Sequence, residues 1–449
     1  MAFNSLQFPA FLLLSCGLYY LVPYRARLPV LLLTSCLFYA AYIPIYLLVL
    51  FALIVFDWSV GLAIGRFQGG KRRALLIASL TLNLSALAYF KYAGFFFGLA
   101  GIVLPLGISF HTFQSMAYVI EVYRGGYTAE RNLLRYALYV MFWPQLVAGP
   151  IERPQNLLPQ LRQPRHFDSA RLVEGMRLMV WGFIKKMVIA DRLEATVTPV
   201  FNSPHDFGGG ALVLATLFFT FQIFCDFSGY TDIARGAAGI LGFDLMENFQ
   251  RPYLSTTFSD FWRRWHISLS TWFRDYLYFP LGGKSDGAAR YAGNILIVFL
   301  LSGLWHGANW TFVVWGAWHG LLLVVSRLSG WEKRVNRGGV IALAGWAVTF
   351  LGVAVGWVFF RARSLSDAGY ILTHLGRGSL ALPDRGAALR GLALILMLMA
   401  AELLQGSRWW PGFFRARQRW MRWAVYYGGV LAWWWWGVFE LRQFIYFNF

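Results

Sequence analysis

Three of the seven histidines in the chain, His266, His306 and His319, fall in one window between Asn248 and Gly320. Around them stand Arg251, Arg263, Arg264, Arg274 and Asp260, with Trp262, Trp265, Trp272, Trp305, Trp310, Trp315 and Trp318 interleaved. An imidazole is the side chain that takes and returns a proton near neutral pH. A lone histidine in an apolar run is as readily a core residue held by a neighbouring carbonyl. Three in one window with arginines and tryptophans between them favour chemistry. Metal binding is disfavoured, because no HExxH and no closely spaced His/Asp/Glu set occurs.

His306 and His319 are 13 residues apart. On one unbroken helix that separation is about 20 Å along the axis and about 140° around it, too far for both to serve one carbonyl. A break at WHGAN, with Asn309 capping the following helix, puts His306 in a loop and His319 at mid-helix. There the small residues of WGAWHGL admit a close neighbouring backbone.

The elements that must position these groups are membrane helices. Of 449 residues 58% are hydrophobic and 14% charged, against about a quarter charged in soluble domains, and long apolar runs recur throughout. The fold class is therefore all-α and polytopic. The net charge of +19 lies in short loops between apolar runs, the positive-inside pattern. It points to topology and anionic lipid headgroups and away from nucleic acid. Cys16, Cys36 and Cys225 all lie in apolar runs without a CxxC pair, so no disulfide framework or zinc site is expected.

In chain order, spans are expected over about Leu6–Val22, read as a retained first span because no signal-peptide pattern surrounds it, and over Pro29–Ala41, Ile43–Ile64 and Leu75–Gly98. The basic residues Arg25, Arg27, Arg66, Lys71, Arg72 and Arg73 face the cytoplasm. Leu104–Val122 follows. The short run Tyr136–Ala148, breaking at FWPQLVAGPIERP between two basic flanks, suits a re-entrant hairpin, which lipid tolerates only against protein or water. Val173–Ile189, interrupted by Lys185 and Lys186, reads as partly interfacial. Ala211–Phe224 is a span leading to Asp226, Asp232 and Arg235, read as a salt-bridged set. Asn248–Asp286 is too polar to cross and is placed on, or re-entering from, the cytoplasmic face.

Tyr291–Leu304, Trp310–Val325, Val340–Phe359, Ala387–Leu403 and Trp423–Val438 bring the total to roughly 11 spanning or half-spanning helices. His111 reads as a core residue, and His166, His205 and His374 as solvated. No GxSxG, Walker A or GxGxxG motif supports serine hydrolysis or nucleotide-driven pumping.

The stretches FWPQLVAGPIERP, FCDFSGYTDIARGAA, NFQRPYLSTTFSDFWRRWHISLSTWFRDYLYFPLGG and LWHGANWTFVVWGAWHG resemble, in the same order, the membrane-bound O-acyltransferase (MBOAT) family. The likeness is strongest to its bacterial branch of alginate and peptidoglycan O-acetyltransferases and the teichoic-acid D-alanyl transfer protein. It spans about Leu104–Val325, taken as the catalytic core of a single polytopic domain over residues 1–449, with residues 326–449 as C-terminal transmembrane helices.

The resemblance implies a ring of helices around a central funnel in a bacterial inner membrane, and transfer of an acetyl group from a thioester. Acetyl-CoA would serve as donor substrate on the cytoplasmic side, with no tightly bound cofactor and no metal. The acceptor would be an extracytoplasmic polysaccharide, reached through a partner protein, with membrane lipid around the chain. The family's invariant histidine falls on His319 and the branch's second on His266, with His306 and Asn309 as secondary positions. Arg263, Arg264 and Trp265 would hold the donor, and indole N–H groups or arginines would receive the developing oxyanion. D-alanyl transfer, a lipid or protein acceptor, and a transporter without covalent chemistry are the competing readings.

Overall fold

The computed structural model describes residues 2–98, 103–147, 149–283, 287–382, 384–406, 419–440 and 444–445. Ala148, at the end of the short apolar run, and residues 284–286 of the polar bridge after the histidine window lie outside them. The described residues form helices and no strands. Seven helices are long and apolar enough to cross a membrane: Tyr46–Ile64, Gly69–Phe97, Gly209–Ile240, Ala288–His306, Trp310–Leu328, Val340–Arg361 and Arg385–Gln405. The other runs in the sequence reading build helices of 14 to 18 residues, as at Phe8–Leu21, Tyr24–Ala40, Ile108–Arg124 and Arg419–Trp436, or shorter pieces. The chain divides into two compact units, residues 1–179 with 230–247, and residues 180–229 with 248–449.

In the first unit, α1 (Phe8–Leu21), α2 (Tyr24–Ala40), α3 (Tyr46–Ile64), α4 (Gly69–Phe97) and α5 (Ile108–Arg124) are the long helices. The short α6 (Leu133–Met141) and α7 (Pro154–Arg162) follow, then most of α8 (Ser169–Phe183). Nine residues of α6 make about 14 Å of helix, less than half a bilayer core. The chain turns through Phe142–Gln145 and is buried there, as a hairpin requires. Trp143 is fully buried among Phe8, Phe11 and Phe38. Glu152 ties the turn down: it accepts from Asn156 Nδ2 and from the Met246 amide, each at 2.6 Å. His111 is a core residue, as expected, buried beside the Leu106 and Val140 backbone.

In the second unit, α8 passes through a π-helical stretch, Ile184–Ala190, into α9 (Asp191–Asn202). The interfacial placement of Lys185 and Lys186 is overturned, since both are buried. Lys186 Nζ lies 2.9 Å from Asp191 and 2.5 Å from Asp226, on α10 (Gly209–Ile240). The π-helical stretch carries Lys186, the cation of this buried set. The expected pairing of Asp226 with Arg235 is likewise corrected: Arg235 meets Asp232 at 3.9 Å and Glu247 at 3.3 Å, both in the first unit. Between α10 and α13 (Ala288–His306), among the described residues, a 3₁₀ turn at Pro252–Leu254 and a π-helical turn at Arg274–Tyr278 accompany α11 (Phe258–Arg264) and α12 (Ile267–Phe273), of seven residues each. Neither can cross a membrane.

The helices α13 and α14 (Trp310–Leu328) form a hairpin whose backbones nearly touch. A methyl group built on Gly303 would meet Phe312 O at 2.2 Å, and one on Gly316 would meet Phe299 O at 2.2 Å, so glycine permits the approach. The helix α15 (Trp331–Val335) leads to α16 (Val340–Arg361), which Trp318 Nε1 grips by donating to Gly352 O at 2.8 Å. The helices α17 (Leu365–His374), α18 (Arg385–Gln405) and α19 (Arg419–Trp436) complete the unit.

Candidate active site

His319 sits midway along α14, ten residues or about 15 Å from the Asn309 cap, and is completely buried. Its ring meets Trp262 edge-on at 5.0 Å, Trp315 at 5.1 Å and Trp357 at 6.0 Å between centroids. Neither ring nitrogen has a hydrogen-bond partner among the described residues. The same is true of the indole nitrogens of Trp262 and Trp315. Leaving one buried polar group unsatisfied costs about 1–3 kcal/mol, so an unpaired imidazole beside two unpaired N–H donors calls for an explanation. Chemically, the two indole N–H groups can donate to a carbonyl oxygen and an imidazole nitrogen can accept from a hydroxyl.

His306 is the last residue of α13 and not a loop residue. Its nearness to His319 follows from the break after it. Asn309 Oδ1 accepts from the Thr311 amide at 3.1 Å and starts α14, while Nδ2 donates to Arg363 O. Asn309 is thus the cap expected from the sequence, and it also ties the start of α14 to the chain just after Arg361. The hairpin brings His306 against Trp315 at 4.9 Å, and Trp315 also touches His319 at 5.1 Å.

His266 comes from the linker between α11 and α12 and packs 6.4 Å from His306. Phe227 meets it edge-on at 4.6 Å. Its backbone is left-handed, φ 43°, a conformation non-glycine residues keep only when their surroundings impose it, and one that clusters at functional sites. Asn248 imposes it here: its carbonyl accepts from the Ile267 amide at 3.0 Å and its side chain from the Ser268 amide at 3.1 Å. Burial pushes the His266 imidazole well below its ordinary pKa, so this ring is neutral at physiological pH.

The three proposed donor-binding residues separate. Trp265 is 1% exposed, stacked on Phe261 and packed against Trp357, so it belongs to the core. Arg264 is paired with Asp260 at 3.0 Å. Arg263 is exposed. The start of α11 is tied to α15, where the Ser259 hydroxyl donates to Glu332. Arg263 and Arg264 therefore stand on the helix joined to the basic segment Arg327–Arg337.

At the opposite end of α14 lies a cavity of about 430 Å³ lined by Asn309, Phe312, Phe360, Gln222, Lys186 and Arg361 among others. Phe360 also packs on His306 at 5.3 Å and on Trp315 at 5.4 Å, so one aromatic wall divides the cavity from the histidines. Sequence reasoning missed Asn248, Phe360 and Gly356, the last lying directly under the His319 ring. For Gly356 a signal existed, the small-residue repeat Gly352/Gly356, which marks close helix contact in membranes. Among the described residues no group of three or more His, Cys, Asp or Glu side chains could hold a metal ion.

The model of the MBOAT, membrane-bound O-acyltransferase family, matches residues 129–330. The probable alginate O-acetylase AlgI of Pseudomonas aeruginosa is 42% identical over 384 residues, covering 82% of this chain and 72% of the relative. The peptidoglycan O-acetyltransferase of Helicobacter pylori is 34% identical over 76% of this chain and 72% of its own length. The teichoic acid D-alanyltransferase of Bacillus subtilis is 30% identical over 58% of this chain and 69% of its own. With its apolar helices and a histidine enclosed by unpaired donors, the chain belongs to the membrane-bound O-acyltransferase family and is a multi-pass membrane O-acyltransferase.

Proposed function

We propose that this enzyme moves an acetyl group from a cytoplasmic thioester, acetyl-CoA, to a hydroxyl presented from the far side of a bacterial inner membrane, for O-acetylation of a polysaccharide through a partner protein. The observation that carries the reading is the unpaired His319 ring packed against Trp262 and Trp315, whose indole N–H groups are also unpaired among the described residues. The relatives named as alginate and peptidoglycan O-acetylases support acetyl as the group and polysaccharide as the final acceptor.

In this reading His319 takes the proton of the acceptor hydroxyl as its oxygen attacks the thioester carbonyl carbon. The two indoles donate to the carbonyl oxygen as it becomes negative. The carbon–sulfur bond then breaks, the acyl–oxygen bond remains, and the imidazolium returns its proton to the departing thiolate. His266, a neutral imidazole beside His306, is the second base.

The two ends of α14 give the reaction its direction. Arg327, Lys333, Arg334 and Arg337 follow its C-terminal end, which the positive-inside rule assigns to the cytoplasm. Arg263 and Arg264, on the helix tied to that segment, would meet the phosphates of the donor. The cavity behind Phe360 is at the other end and would admit the acceptor.

The test is acetyl transfer in proteoliposomes with labelled acetyl-CoA and a hydroxyl acceptor, comparing the intact enzyme with His319→Ala and His266→Ala of verified fold. Loss of transfer in His319→Ala supports the assignment. Full activity in that variant moves the base elsewhere, with His266 next. Transfer only from a carrier-bound aminoacyl thioester would favour D-alanyl chemistry.

A further inference from the structure

The first unit holds a carboxylate that acyl transfer leaves unexplained. Asp57 lies 11 residues into the 19-residue span α3, about 16 Å from its start, and is fully buried. Ser79 Oγ donates to its Oδ1 at 2.6 Å. Asn83 Nδ2 reaches both carboxylate oxygens, at 3.1 and 2.9 Å, and also donates to Ser79 O at 3.0 Å. The Ser115 hydroxyl of α5 reaches the same group. Three donor side chains thus converge on one carboxylate. Among the described residues no lysine, arginine or histidine pairs with it, and an uncompensated charge at mid-bilayer is costly.

Two further observations extend this group toward a set of cation ligands. Asn83 is 1% exposed, and its Oδ1 has no partner although the amide lies against Asp57. Tyr136, completely buried, has its hydroxyl beside Ser115 and within electrostatic reach of Asp57, and that oxygen also lacks a partner. Carboxylate, hydroxyl and amide oxygens are ligands of hard cations. A single carboxylate balances a single charge, whereas a divalent ion would leave a net positive charge buried in the bilayer. We infer that Asp57, Ser79, Asn83, Ser115 and Tyr136 form an intramembrane monovalent-cation site, filled by Na⁺ and separate from the acyl-transfer site.

The probes are Na⁺ itself and dicyclohexylcarbodiimide, which reacts with protonated carboxyl groups in apolar surroundings. The purified full-length protein is treated at one fixed pH in choline, K⁺ or Na⁺, and labelling of Asp57 is read by mass spectrometry. With Na⁺ absent a proton takes its place and Asp57 is labelled. With Na⁺ present, labelling falls at least tenfold and the thermal unfolding midpoint rises by several degrees. Asn83→Ala, which keeps the carboxylate, raises the half-protecting Na⁺ concentration at least tenfold. Labelling that is equal in all three salts overturns the site, leaving a permanently protonated structural carboxyl. Failure to label in any salt, with no Na⁺-dependent change in the unfolding midpoint, overturns it as well.

Discussion

The His319 ring lies directly over Gly356: a methyl group on that glycine would stand 2.4 Å from His319 Nε2. The imidazole on α14 is therefore oriented by an absent side chain on α16. The Trp318 bond to Gly352 O, one turn earlier on α16, fixes the distance between the two helices. Gly356→Ala forces the imidazole out of its place. The expected result is a loss of transfer of about 10²-fold, the scale for a displacement of about 1 Å. The circular dichroism spectrum and detergent elution profile should match those of the intact enzyme.

Trp262→Phe and Trp315→Phe keep most of the ring packing around His319 and remove one N–H each. If these donors meet the oxyanion, kcat falls by about 10- to 10³-fold for each with KM for the donor little changed. An equal fall in affinity without a change in kcat would make them ground-state contacts.

Lys186 is 2% exposed and holds two carboxylates. Lys186→Met leaves Asp191 and Asp226 facing each other without their cation, a loss of about 3–5 kcal/mol for a broken buried pair. The unfolding midpoint in detergent should drop by many degrees. Asp226→Asn, which leaves the lysine one carboxylate, should drop it less.

Burial raises Glu152 from an ordinary 4.5 to about 7, against the lowering influence of Asn156, the Met246 amide and Arg153. Its folded-state value is the higher one, so the folded chain holds this proton more tightly than the unfolded chain. The contribution to stability is fully present below pH 4.5 and is lost as pH rises through about 7. Thermal unfolding measured from pH 5 to 8 should show the midpoint falling, and Glu152→Gln should flatten that fall.

Much of this was legible in the residue order. Apolar runs of bilayer length, basic loops and the breaks at FWPQLVAGPIERP and WHGAN follow from lipid tolerating only satisfied backbone, and the helices appear where those patterns stand. Asn309 as a cap follows from its side chain and the break before it. The expectation placed on His266, His306 and His319 rests on the cost of polar groups at depth, a property of single residues. What the order of residues left open is which groups meet. Lys186 read as interfacial because local hydropathy contains no trace of Asp191 and Asp226, its partners across the π turn and α10.

Trp265 reads like its neighbours Arg263 and Arg264, yet short helices ending at Arg264 and restarting at Ile267 turn it inward while Arg263 faces out. The contacts of His319 with Trp262 and Gly356 join residues 57 and 37 positions apart in the chain. Such contacts are decided by helix packing at glycine-sized separations, and only the tertiary structure carries that information.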